Sequence, residues 1–221
     1  FEQDNDPRGV TTCYGNMAQV YRGLNQADKA MEYYKKNLTL SDSIGDKRGI
    51  AYASDNIGEL YEDGDNLEKA EEYHKRALEI SEEIGDLKGI YLSSSSLAKL
   101  YSRTNRERLA KEYFRRALSV TRENQDKISE SVALNQYADF KQEQGRIGEA
   151  LEMIRKSINI QRQAGMEEKL SLSLSKLAEI QRNRNRLPEA SQAAEEALTL
   201  GRALGDLRAQ KKALTQLYQT Q

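Results

Sequence analysis

One triplet governs what this chain can fold into. Ile44-Gly45-Asp46 returns as Ile84-Gly85-Asp86 and again as Leu204-Gly205-Asp206, on a grid of 40 residues. Two weaker copies, Asn124-Gln125-Asp126 and Ala164-Gly165-Met166, fall on the same grid. A fixed period of this size marks an array of stacked units, none of which can bury its apolar face alone. It directs attention away from an enclosed catalytic cleft and toward what a long surface binds.

Residues 45–84 show the grammar of one unit. Gly45-Asp46 is turn chemistry, and from Arg48 to Asp63 no proline intervenes. Within that stretch Ile50, Ala53, Ile57, Leu60 and Tyr61 recur at spacings of three and four, which predicts an amphipathic helix. Gly64-Asp65-Asn66 breaks it. A second helix is expected over about Leu67 to Ile84, with Ala70, Tyr73, Ala77, Leu78 and Ile80 on its apolar stripe. Gly85 then supplies a left-handed cap.

The other units repeat the pattern. Ala30, Ala70, Ala110, Ala150 and Ala190 share one register position, early in the second helix. Ala18, Gly58, Ala98, Ala138 and Ala178 share another, in the first helix. Small residues there let paired helices approach closely. The fold expected is all-α: a solenoid of helix–turn–helix repeats, forming a single domain over 1–221. Its repeats are about 5–44, 45–84, 85–124, 125–164 and 165–204, with a terminal half-repeat over 205–221. The strand-like alternation from Leu170 to Leu177 and the run Ser93–Ser96 both fall within first helices, and the register decides the assignment. The chain begins at Phe1 and stops inside a repeat, so it is read as a piece of a larger protein.

These residues resemble the tetratricopeptide repeat. The segment Asn56 to Leu78 carries that family's pattern through Gly58, Tyr61, Gly64, Ala70 and Ala77. The first unit matches through Ala18, Tyr21, Ala30 and Tyr34, and the third through Leu97, Ala98, Tyr101, Ala110, Phe114 and Ala117. The fourth and fifth units degenerate, with Lys141 and Gln181 where Tyr21, Tyr61 and Tyr101 stand. The family's usual repeat is about 34 residues. The longer unit here, opening Gly-Asp-x-x-Gly at Gly45–Gly49 and Gly85–Gly89, is similar to the long-helix subgroup. Spindle-orientation scaffolds, kinesin light chains and bacterial sensor and regulator proteins carry such repeats. HEAT and armadillo repeats have comparable length, but the Ala/Tyr/Ala spacing favours the tetratricopeptide reading.

The resemblance implies a right-handed superhelical solenoid whose first helices line a peptide-binding groove. Carried over, the groove residues are Tyr52, Asp55, Glu59, Glu62, Asp63, Leu92, Lys99, Arg103, Asn135 and Asp139. Asp55, Glu59, Glu62 and Asp63 would attract a Lys/Arg-containing segment, Lys99 and Arg103 would meet an acid beside it, and Tyr52 and Leu92 would be apolar anchors. The bland alternative is a set of solvated charges on helix faces. A carboxylate-gripping subgroup of the family uses paired Lys, Asn and Arg. This chain has Gly15 with Gln19, and Asp55 with Glu59, at those positions, so that clamp is absent.

The remaining chemistry is sparse. With one histidine, His74, and one cysteine, Cys13, neither a disulfide nor a zinc site is expected. His74 shares a register position with Tyr34 and Phe114 and is assigned to packing. Cys13 is assigned as a buried or half-buried thiol. No phosphate loop, nucleophile elbow or metalloprotease motif appears, so no enzyme, cofactor or metal is expected. The formal net charge of −1 gives no reason to expect nucleic acid, despite the basic stretches Arg103–Arg116 and Arg182–Arg186. No apolar run is long enough to span a membrane. The expectation is a non-enzymatic scaffold that binds a protein or peptide in its groove. The alternative is the sensory or regulatory domain of a larger signalling protein, such as a kinase or transcription regulator. A cytoplasmic setting is expected, with an exported or periplasmic sensor domain as the other choice. The last helix, with Leu214, Leu217 and Tyr218, is a candidate for self-association.

Overall fold

The computed structural model describes residues 6–219 and, among them, eleven helices and no strand. The helices are α1 (Pro7–Gly23), α2 (Ala27–Ser43), α3 (Lys47–Asp63), α4 (Leu67–Glu83), α5 (Leu87–Arg103) and α6 (Glu107–Glu123). Then follow α7 (Lys127–Glu143), α8 (Ile147–Gln163), α9 (Glu167–Asn183), α10 (Leu187–Ala203) and α11 (Leu207–Tyr218). The first ten each run 17 residues, and α9 spans the alternating Leu-Ser stretch. The chain divides into two compact units, 1–124 and 125–221.

Every turn solves the same backbone problem. A helix must satisfy its last carbonyls and reverse direction within three residues, which needs one left-handed residue just past the cap. After the second helices that residue is Gly45 (φ 68°) or Gly85 (φ 67°), and Asp86 N–H closes the motif on Ser81 O at 2.8 Å. After α3 the left-handed residue is Asp65 (φ 60°), not Gly64, whose φ is −86°. Asn25, Asn105 and Asn185 fill the equivalent place. Aspartate and asparagine tolerate this region better than other non-glycine residues.

In unit 1, α1 to α6 form three hairpins stacked in order, α3 against α5 and α2 and α4 each against the next first helix. The small residues at the crossings, Ala18, Ala30, Ala70, Ala98 and Ala110, have no exposed surface. A pair of tyrosines clasps each hairpin: Tyr21 with Tyr33, Tyr61 with Tyr73, and Tyr101 with Tyr113, at centroid distances of 5.3, 5.5 and 5.4 Å. Lys29, Lys69 and Arg106 lie over the first ring of each pair. Met17 is exposed while its counterparts Ile57 and Leu97 are buried.

The second glycine of the Gly-Asp-x-x-Gly signature has a packing reason. A Cβ on Gly49 would lie 2.4 Å from Ser41 Oγ, and one on Gly89 would lie 2.4 Å from Ser81 Oγ. The helix that starts a repeat therefore rests directly on the end of the one before it. In unit 2 the roles exchange: Gly201 stands on the earlier helix, where a Cβ would meet Ala209 Cβ at 3.3 Å.

Unit 2 packs α7 on α8, α9 on α10 and α11 against both α9 and α10. Its core gathers Ala138, Ala150, Ile154, Leu174 and Ala213. Lys141 and Gln181 replace the clasp tyrosines. The Lys141 side chain is buried, lies 5.0 Å from the centre of the Tyr137 ring and pairs with Glu149 at 2.8 Å.

Candidate functional site

Unit 1 carries a groove of about 930 Å³. Its walls come from α1, α3 and α5, and Tyr34, Asn37 and Ser81 of the second helices reach its floor. The lining follows helical periodicity. On α3, Arg48, Tyr52, Asp55 and Glu59 are spaced four, three and four residues apart and so form one stripe. On α5, Lys88 and Leu92 continue the rows of Arg48 and Tyr52, and on α1, Gly15, Gln19 and Arg22 face them.

The floor is held by buried polar contacts. Asn37 donates to Thr11 O at 2.9 Å and accepts from Ser41 Oγ at 3.0 Å. Tyr34 has no exposed surface, and its hydroxyl donates to Asn56 Oδ1 at 3.0 Å. Burial pushes the Tyr34 phenol well above its ordinary range, so it stays a neutral donor. Gly15 opens the groove beside these groups, because a Cβ there would lie 3.1 Å from Asn37 Nδ2 and 3.3 Å from Tyr52. Tyr52 and Leu92 present apolar surface to the groove, 36% and 38% exposed. Gln19 Nε2 donates to the Tyr52 hydroxyl at 2.5 Å and fixes the ring.

The acids of α3 are answered from three sides. Arg22 binds Glu59 through Nη1 and Asp63 at 2.9 Å through Nη2. Burial works to lower the Arg22 pKa, and the charges and hydrogen bonds of Glu59 and Asp63 outweigh it and hold the guanidinium above its usual value. Arg103 donates to the Glu62 carbonyl at 3.0 Å and to Asp65 at 2.8 Å. Asp55 Oδ1 lies 2.7 Å from Nδ1 of His74, whose side chain has no exposed surface. An ionised carboxylate can only accept, so Nδ1 carries the proton. The other ring nitrogen has no hydrogen-bond partner, Glu62 being 3.9 Å away.

The structure therefore distributes the ten expected groove residues unevenly. Tyr52, Asp55, Glu59 and Leu92 line the groove. Glu62, Asp63, Lys99 and Arg103 lie outside its lining, with Glu62 and Asp63 held by neighbouring arginines. Asn135 and Asp139 belong to unit 2, where Asn135 donates to Ser173 at 2.8 Å and Asp139 accepts from Lys176 at 2.6 Å. Sequence reasoning missed Arg48 and Lys88, which sit one turn before Tyr52 and Leu92 on the same stripes. The period of the stripe would have found them, had it been extended one turn toward the helix starts. The expectation of a buried or half-buried Cys13 is corrected: the thiol is exposed, whereas Ala53 and Ser93, at the same register position of α3 and α5, are buried. His74 is buried as expected, and it also holds a groove acid. Leu217 packs against the unit 2 core, while Leu214 and Tyr218 are 48% and 83% exposed. Among the described residues no helix is long and apolar enough to cross a membrane.

Comparison with known proteins agrees with this architecture. The tetratricopeptide repeat family model matches residues 9–83, 49–123 and 129–203. No curated protein gives a significant match. Among solved structures, a STAND signal-transduction ATPase with a tetratricopeptide repeat sensor, from Pyrococcus horikoshii, superposes with a TM-score of 0.81 at 19% identity. That match covers 94% of this chain and 32% of the STAND protein. Aspartyl phosphate phosphatase F from Bacillus subtilis gives 0.78 at 15% identity, over 89% of this chain and 53% of its own. A Rap protein complexed with competence and sporulation factor gives 0.76 at 13% identity, over 99% of this chain and 67% of its own. This chain thus spans about a third and about half of the first two relatives, and identities this low establish the shared fold alone. By the family match along most of its length and by the repeated hairpins of both units, the chain belongs to the tetratricopeptide repeat family.

Proposed function

We propose that this chain is a non-enzymatic interaction module and that the unit 1 groove receives a peptide segment of a partner protein. The observation that carries this reading is the groove itself: about 930 Å³, walled by the first helices of three successive repeats, with Tyr52 and Leu92 exposed between charged rows. Half-exposed apolar side chains in a concavity, ringed by polar groups, are the usual anchors of a protein interface. Basic side chains of the ligand would be drawn to the Asp55 and Glu59 rows, where Glu59 and Asp63 share a single guanidinium. The test is affinity capture with the full chain, comparing wild type with Tyr52→Ala/Leu92→Ser. Both positions are partly exposed, so the variant should stay folded, with a lowered unfolding midpoint, while losing the captured partner. Equal capture by the two proteins would move the binding surface elsewhere.

A second reading has an observation of its own. The STAND protein carries its tetratricopeptide repeats as a sensor, and this chain spans only 32% of it. The same groove would then serve as the sensory element of a larger signalling protein. In that setting, ligand binding alters a neighbouring effector rather than recruiting a partner. An effector activity in the full-length protein that responds to groove variants would distinguish the two.

A further inference from the structure

The groove is electrically two-ended, and its polarity specifies a ligand more narrowly than the proposed peptide-binding function on which this inference rests. Along α3 the stripe runs base, ring, acid, acid: Arg48, Tyr52, Asp55, Glu59. At the basic end, Arg48 engages Asp86 through Nε alone at 3.1 Å, and its side chain is 75% exposed. Lys88, in the matching row of α5, is exposed and has no ion-pair partner among the described residues. The two carboxylates near them, Asp46 and Asp86, stand at the N-caps of α3 and α5, against the positive ends of those helices. At the acidic end, Glu59 and Asp63 divide one guanidinium, and the partner of Asp55 is an imidazole.

We infer that the groove takes an extended segment of mixed charge. An acidic side chain meets Arg48 and Lys88, an apolar side chain rests between Tyr52 and Leu92, and a lysine or arginine meets Asp55 and Glu59. Geometry sets the spacing. Seven to eleven helical positions separate Arg48 from Asp55 and Glu59, a rise of about 10 to 16 Å. An extended chain covers that in about three to five residues. The bases answering the ligand's acid are thus Arg48 and Lys88, because Arg103 is committed to Glu62 and Asp65 and Lys99 lies outside the groove.

Four labelled peptides of one frame test this by anisotropy or NMR titration against the full chain. Each has a central leucine among glycines, and the two flanking positions, four residues apart, are Glu and Arg, Arg and Arg, Glu and Glu, or Gln and Gln. The Glu/Arg peptide should bind about two- to fivefold more tightly than the other three, the gain expected from an added exposed charge pair. Lys88→Glu, an exposed substitution, should turn the preference toward the Arg/Arg peptide. Equal binding of all four peptides, or tightest binding of Arg/Arg by the wild type, overturns the mixed-charge inference and leaves a peptide groove standing. No binding by any of them overturns both.

Discussion

Gly58 and His74 form a pair at the scale of single residues. The other units carry alanine at the Gly58 position, and helix propensity alone favours Gly58→Ala by about 1 kcal/mol. Here a Cβ would lie 2.8 Å from Nδ1 and Cε1 of a buried imidazole that Asp55 holds in place, so the ring has nowhere to go. Gly58→Ala is therefore expected to destabilise by about 1–3 kcal/mol. In a His74→Ala background the same change should be neutral or stabilising. Urea denaturation of the four proteins checks this, and additive effects would refute the pairing. The glycine was legible in the sequence as a small crossing residue. The imidazole beside it was legible only as a packing residue, because the Asp55 contact joins two helices that periodicity treats separately.

At the scale of elements, turns and inter-repeat contacts decide the outcome. Gln125 adopts a left-handed φ of 53° where Gly45, Gly85, Gly165 and Gly205 stand at the same point of other repeats. Gln125→Gly should remove the steric penalty and raise stability by about 1 kcal/mol, seen as a higher urea midpoint. Glu71 on α4 gathers contacts from three directions: the Tyr101 hydroxyl at 2.9 Å, Lys75 at 2.7 Å and Arg106. Burial works to raise its pKa, and these bonds outweigh it and hold the carboxyl below its ordinary value. The contribution is therefore complete above the unfolded value of about 4.3 and is lost as pH falls through the lower folded one. The stability gap between wild type and Glu71→Gln should be widest near neutral pH and should close on acidification below about pH 4. A gap that stays constant down to pH 3 would count against the contact. Helix bounds were readable to within a residue or so, since triplet and stripe fix both ends. Contacts such as Arg106 to Glu71 were not, because they join charges 35 positions apart with no periodic signal.

For the whole molecule, the two units differ in how well their interiors are satisfied. Unit 1 has the three tyrosine clasps. Unit 2 has Lys141 and Gln181 in their place, and the side-chain amides of Asn135, Gln136, Gln144, Gln161, Gln181 and Gln216 each hold a buried atom with no hydrogen-bond partner, against the hydroxyls of Ser54, Ser94 and Ser95 and the Nε2 of His74 in unit 1. Each such atom costs about 1–3 kcal/mol relative to a satisfied one. Hydrogen exchange should therefore show lower protection over α7–α11 than over α3–α6, since repeat stability sums local and neighbour terms. Uniform protection along the chain would contradict this. The equal helices and three-residue turns fix the size of change that the chain can absorb. A single inserted residue within a helix rotates everything after it by about 100° and breaks the stripe. A block of 40 residues inserted at a turn meets the same surfaces it presents. Genes for such a chain can lengthen or shorten by unequal recombination in whole blocks, and natural length variants should differ by that quantum rather than by scattered small gaps.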